Sequence, residues 1–157
     1  MNKRNKLLVV ILVLAIAVVS FLSIFLYNKE HRVEEIKKEA KDLVKESASF
    51  SDFKEKLSDA ELDVSDEFEN TECEMIGASE GYTYLVSTQE IQVYRFDFNK
   101  SDEITIKNLK LAQEEGKVVI PAFNNVEIKV VYNKGLILIE NEDHEDWDLI
   151  LEAFNKI

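Results

Sequence analysis

The feature that most constrains this chain is an uncharged apolar run near its N-terminus. Leu7 to Tyr27 is 21 consecutive residues without a charge, and only Ser20 and Ser23 are polar. At a rise of about 1.5 Å per residue, a helix of this length spans roughly 30 Å, the thickness of a bilayer's hydrocarbon core. The remaining chain is too short to bury such a helix on all sides. The run therefore predicts a single transmembrane anchor whose partner is membrane lipid.

A cleavable signal peptide is the alternative interpretation of this run, with Val18-Val19-Ser20 as its cleavage site. The apolar residues continue through Leu26, however, and signal peptides have shorter apolar regions, so we favour an uncleaved anchor. Basic residues from Lys3 to Lys6 precede the run without an acid, which favours a cytoplasmic N-terminus and a domain outside the cell membrane. Basic residues from Lys29 to Lys38 follow the run and weaken this asymmetry.

The charge distribution predicts three parts: a cytoplasmic stub and anchor (residues 1–28), a helical stalk (residues 29–50) and an acidic α+β domain (residues 51–157). The formal net charge is −12, yet residues 1–27 carry three positive charges and no acid. The rest of the chain thus carries fifteen net negative charges, which repel nucleic acid. We expect no nucleic-acid partner. Cys73 is the only cysteine, so no intrachain disulfide can form.

Hydropathy periods in residues 51–157 predict the order of helices and strands. Ser49, followed by an acid at Asp52, is typical of a helix start, and an acidic connection with a short extended piece around Leu62 and Val64 follows. The next predicted elements are a first strand from Cys73 to Ala78 and a hairpin of Tyr82–Val86 and Ile91–Phe96 around a turn at residues 87–90. A helix follows from a Ser101 cap to Gly116, and then strands at Val118–Ala122, Val126–Val130 and Leu136–Ile139, of which the last two are joined by a turn at Asn133-Lys134-Gly135. The final helix is capped by Asp143 and has the apolar residues Trp147, Ile150, Leu151 and Phe154 on one face.

This order favours an antiparallel sheet with helices packed on one side. Leu136–Ile139 and Val118–Ile120 are nevertheless apolar on both faces. A sheet covered on one face alone should alternate at these positions, so something must cover part of the second face. The stalk helices and a protein partner are the two candidates.

Two groups of residues are candidate binding sites. Arg95 lies near Tyr82, Tyr84 and Tyr94 in the predicted hairpin, and an arginine among tyrosines can bind a carboxylate or a sugar. The acidic stretch before the last helix could hold a cation through Glu142, Asp143, His144, Asp146 and Asp148. The alternatives are an arginine paired with a nearby acid, and acids that favour a helix N-terminus because of its exposed N–H groups.

Catalytic signatures are missing from the sequence: it has no Gly-rich phosphate loop, no His-Glu-x-x-His, no Cys-x-x-Cys and no Gly-x-Ser-x-Gly. We therefore expect neither an enzyme nor a cofactor.

Three stretches carry a resemblance: Phe53–Leu57, Ile91–Asp97, and the closing Asp143–Asp146 with its helix from Trp147 to Phe154. Through them, residues 50–157 resemble small membrane-anchored or lipoprotein-like exported proteins of Gram-positive bacteria. The resemblance implies an α+β domain outside the cell membrane and no activity.

The leading hypothesis is a membrane-tethered, non-catalytic extracytoplasmic domain that serves as a protein-interaction or accessory module. A sensor domain that binds a small ligand or a divalent cation is the alternative. A hydrolase with an unrecognised carboxylate pair is the third hypothesis.

Overall fold

A computed structural model describes residues 18–35, 38, 47–97 and 102–157. The chain divides into two compact units, Met1–Glu35 and Ile36–Ile157. In the first unit, residues 18–35 are helical and exposed. Within the described residues, no helix is long and apolar enough to cross a membrane. Residues 7–17 of the predicted anchor and most of the predicted stalk lie outside the described residues, so the anchor and the stalk stay predictions.

The second unit has an α+β fold, as predicted, with six strands in one antiparallel sheet. Its described helices are α1 (Phe50–Asp59), α2 (Glu103–Glu115) and α3 (Trp147–Asn155), with 3-10 helices at Cys73–Ile76 and Pro121–Phe123. Its strands are β1 (Val64–Glu69), β2 (Glu80–Val86), β3 (Gln89–Arg95), β4 (Lys117–Ile120), β5 (Val126–Asn133) and β6 (Leu136–Ile139). Their order across the sheet is β1-β2-β3-β6-β5-β4, so β1 and β4 are the edge strands.

Helices cover both faces of this sheet, and the expectation of helices on one side is therefore wrong. On the first face, α1 and α3 pack through Phe53, Leu57 and Phe154 against Tyr84, Leu136 and other buried residues. On the second face, Leu109 and Ala112 of α2 pack with Cys73, Val118 and Ile137. The strands that are apolar on both faces predicted a cover for the second face, and α2, a helix of the domain itself, provides that cover.

Several local sequence signals are confirmed. Ser49 and Asp52 form a reciprocal capping box at the start of α1, in which each side chain accepts the other residue's backbone N–H. Gly116 ends α2 in the left-handed conformation, with φ of 62°. Lys134 and Gly135, both with positive φ, form the two-residue turn between β5 and β6.

Four other boundaries differ from the predictions. Residues Cys73–Ile76 form a 3-10 helix instead of a strand. The cap of α2 is Asp102, which accepts the Thr105 N–H, whereas Ser101 lies outside the described residues. Helix α3 begins at Trp147, after turns that contain the predicted cap Asp143. The turn between β2 and β3 is two residues long, since Gln89 and Glu90 already belong to β3.

Buried Asn108 connects three elements on the second face. Its side-chain amide donates to the carbonyl oxygens of Ile76 (2.8 Å) and Val119 (2.9 Å), and its Oδ1 accepts the Val119 N–H at 2.9 Å. The side chain is 1% exposed and all three hydrogen bonds are made within the protein. Because Val119 lies on edge strand β4, the amide takes the place of a neighbouring strand there. Asn108 therefore seals this edge of the sheet.

Replacing Asn108 with alanine should lower the free energy of unfolding by about 2–4 kcal/mol, because it leaves buried backbone groups of Val119 and Ile76 without partners. Urea denaturation of the full chain measures the change. Asn155→Ala is the matched control, since Asn155 is exposed at the end of α3, and it should change stability by less than about 0.5 kcal/mol. Similar small effects from both variants would contradict the role given to Asn108.

Helix α1 ends in a motif that normally contains glycine. Leu62 donates its N–H to the Leu57 carbonyl and Glu61 donates to the Ser58 carbonyl, the hydrogen-bond pattern of a Schellman motif. Leu57 and Leu62 supply its apolar contact in the core of the first face. Glu61 occupies the left-handed position with φ of 61°, where a side chain with a Cβ is disfavoured.

Glu61→Gly should therefore raise the free energy of unfolding by about 1 kcal/mol. The same substitution at exposed Glu55, in the middle of α1, should lower it by about 1 kcal/mol. Chemical denaturation of the two variants gives the comparison, and effects of the same sign would contradict the conformation described for Glu61.

Candidate functional site

The structure separates the predicted arginine–tyrosine group. Arg95, Tyr82 and Tyr84 lie on the first face of the sheet, whereas Tyr94 lies on the second. Arg95 Nη2 donates to Glu80 Oε2 at 2.6 Å, and its guanidinium carbon lies 5.5 Å from the centre of the Phe50 ring. Arg95 is thus paired with an acid and stacked on an aromatic ring. This is the alternative to a ligand site that the sequence had left open.

The two buried tyrosine hydroxyls have different surroundings. Tyr84 is 0% exposed and its hydroxyl is a buried group without a hydrogen-bond partner in the structure. Burial raises the pKa of Tyr84, and the nearby Glu67 carboxylate raises it further. The Tyr94 hydroxyl accepts from the Asn70 side chain and donates to Gln92 Oε1, while burial raises its pKa too. Both rings serve as packing groups of the two cores.

The predicted cation ligands surround a turn that is attached to the sheet. His144 is 3% exposed; its Nδ1 accepts the Asp146 N–H at 3.0 Å and its Nε2 lies 3.1 Å from the Val86 carbonyl. The hydrogen-bond network therefore assigns the proton to Nε2 and occupies both ring nitrogens. Asn141 and Glu145 fix the same turn by hydrogen bonds to Glu90 and Gln89.

His144 consequently has no free ring nitrogen for a metal. Glu142, Asp143 and Asp148 are exposed, and Asp146 is half-buried. Nowhere in the part of the chain that the structure describes are three or more His, Cys, Asp or Glu side chains grouped to hold a metal ion. Here the acids surround a turn whose histidine is a packing residue.

Two of the depressions on the described surface are lined by groups that already serve as helix caps or ion pairs. One, of about 350 Å³, lies beside the start of α2 and is lined by Glu74, Asp97 and Asp102. The Asp102 carboxylate there already accepts from Thr105 as the helix cap. The other, of about 470 Å³, lies between α1 and α3, with the ion pairs Lys56–Asp59 and Lys156–Glu152 among its lining residues.

The edge strand β1 is the surface that sequence reasoning missed. Five of its six residues are exposed, from Ser65 to Glu69. In the described residues no strand pairs with its outer side, whereas Asn108 seals the opposite edge at β4. The sequence from Leu57 to Tyr94, which includes β1 and β2, contains no Lys or Arg. Among the described residues, one edge of the sheet is thus closed by Asn108, and the other is open and acidic.

A β-bulge decides which side chains β1 presents. Val64 pairs with Val86, but Asp66 pairs with Leu85, so the register shifts by one residue between them. Without this shift Phe68 would lie on the first face beside α1; with it, Phe68 pairs with Thr83 on the second face and is 52% exposed. Bulges often re-aim a side chain in this way.

The shift also places Glu67 opposite Tyr84 on the first face, where Lys54 Nζ lies 2.5 Å from Glu67 Oε2. The only sequence signal for β1 was the extended piece around Val64, because the acids after it are typical of a connection. The candidate functional surface is therefore the outer edge of β1 together with Phe68, and we name it the β1 edge.

No protein family, curated protein or solved structure matches this chain. Its function is therefore inferred from its own residues.

Tyr84→Phe should raise the free energy of unfolding by about 1 kcal/mol, because it removes a buried hydroxyl that has no partner. Tyr94→Phe is the matched control and should lower it by about 1–2 kcal/mol, since it removes two hydrogen bonds and strands the Asn70 amide. Thermal or urea unfolding at neutral pH compares the variants. A loss of stability in Tyr84→Phe would show that its hydroxyl has a partner after all.

Proposed function

We propose that this chain is a membrane-tethered, non-catalytic extracytoplasmic domain that binds a protein partner. The tether rests on the uncharged run from Leu7 to Tyr27, and the orientation rests on the basic residues that precede it. The interaction role rests on the second unit, Ile36–Ile157. There the two central candidate residues are already engaged, Arg95 with the Glu80 carboxylate and His144 with backbone groups of Val86 and Asp146.

The β1 edge is the single observation that carries the interaction role. Edge strands expose backbone donors and acceptors, and proteins usually block them by a side chain, a helix or a short length. This domain blocks one edge with buried Asn108 and leaves the other exposed over residues 65–69. The bulge moreover turns Phe68 out of the core-facing side of β1. Phe68 lies beside the exposed strand backbone, so a partner on this edge would gain both main-chain hydrogen bonds and an apolar contact.

A photo-crosslinking residue at position 68 of the full chain, expressed in its own cells, should form an adduct of defined mass with one membrane or extracytoplasmic protein. Position 123 is the matched control, because Phe123 is also aromatic and 55% exposed but lies in the 3-10 helix after β4. A partner docked on the β1 edge should react from position 68 and not from position 123. Adducts that are the same from both positions, or none from position 68, would contradict the proposal.

A further inference from the structure

The backbone of β1 offers a partner hydrogen-bonding groups on one side only. Neighbouring residues of an antiparallel strand point their N–H and C=O groups to alternate sides. Asn70 donates its N–H to the Gly81 carbonyl and Phe68 pairs with Thr83, so the even-numbered residues face β2. The backbone groups of Glu67 and Glu69 therefore point outward. The Glu67 N–H is held by Asp66 Oδ1 at 2.8 Å, which leaves the Glu67 C=O and both groups of Glu69 directed away from the sheet.

These groups favour strand addition over helix docking. A strand laid against β1 would extend the sheet and satisfy the outward groups by main-chain hydrogen bonds, a common mode of peptide recognition. Its side chains would alternate between the two faces, as those of β1 do. On the first face they would meet Glu67 and Glu69, and on the second face they would meet Asp66 and Phe68.

The acidic residues of β1 determine which charge the side chains of an added strand should carry. Three of the six residues of β1 are acids, and Lys54 neutralises one of them. A second copy of this chain, paired through its own β1, would bring like charges opposite one another, which destabilises a sheet. A basic segment would instead pair its charges with Glu69 and would share the Glu67 carboxylate with Lys54. At low salt, the net negative charge of the domain would also speed the association of a basic segment with it.

Phe68 adds a requirement for an apolar residue. Its neighbours on the second face are Thr83, opposite it on β2, and half-buried Leu85 in the next pair on that face, two pairs along the strands. The strand opposite Phe68 would bury its ring only if an apolar side chain stood at that position. Basic residues toward the first face and apolar ones toward the second give an alternating pattern.

We propose that the β1 edge binds an extended segment of a partner protein in which basic and apolar residues alternate, added to the sheet as a strand beside β1. The basic side chains face Glu67 and Glu69, and an apolar side chain packs on Phe68. This inference rests on the proposed interaction function and specifies the chemistry of the partner.

The test uses the full chain in nanodiscs of zwitterionic lipid and a peptide of alternating Lys and Val, as long as the six residues of β1. A Glu-Val peptide of equal length is the charge-reversed probe. We expect the Lys-Val peptide to bind, to bind more weakly as salt is raised, and to slow hydrogen exchange of the β1 amides. The double variant Glu67→Lys/Glu69→Lys should weaken its binding about tenfold and favour the Glu-Val peptide.

The double variant Glu114→Lys/Glu142→Lys is the matched control, because it changes the net charge equally at exposed positions away from β1. Equal weakening by both double variants, or protection of amides elsewhere than β1, would mean general attraction to an acidic protein and would overturn the proposal. Protection of β1 without peptide, in a dimer of the chain, would overturn it in favour of self-association. An adduct from position 68 with no peptide binding would refute the basic partner while the interaction function stands.

Discussion

Burial of the central strand β6 on both faces is the constraint on which the domain depends. Leu136 and Leu138 enter the core beneath α1 and α3, and Ile137 enters the core beneath α2. A strand that is apolar on both sides can be kept from water only between two layers. Helix α1, before the strands, and α3, after them, form one layer, and α2, between β3 and β4, forms the other. The second layer requires Asn108, because a helix that closes over an edge strand must also satisfy the backbone groups of that edge.

The sequence predicted elements whose signals are local and missed those set by distant contacts. The capping box at Ser49, the stop at Gly116 and the Lys134-Gly135 turn each lie within a few residues, and all are present. The same holds for the apolar stripe of α3, in which Trp147, Ile150 and Phe154 are buried. The second-face position of α2 could not be predicted, because Asn108 reaches a carbonyl 32 residues away.

The candidate sites show the same division between local and distant information. The pairing of Arg95 with Glu80 and the hydrogen bond of His144 to Val86 span 15 and 58 residues, respectively. Neither partner is marked by a motif, so both residues looked available for ligands. The β1 edge was missed for a different reason. Its acids are typical of a connection, and the bulge that turns Phe68 outward depends on how β1 pairs with β2, which the polar residues between Val64 and Phe68 do not reveal.

The buried Cys73 gives this domain a built-in reporter. Its thiol lies in the second core, burial raises its pKa, and it is the only cysteine in the sequence. Thiolate is the reactive form of cysteine, so an alkylating reagent should react slowly with the folded chain and faster whenever the second core around Cys73 opens. The rate of modification therefore measures how often the second layer opens, without any label being introduced. Partners that act on the first face alone would leave this rate unchanged.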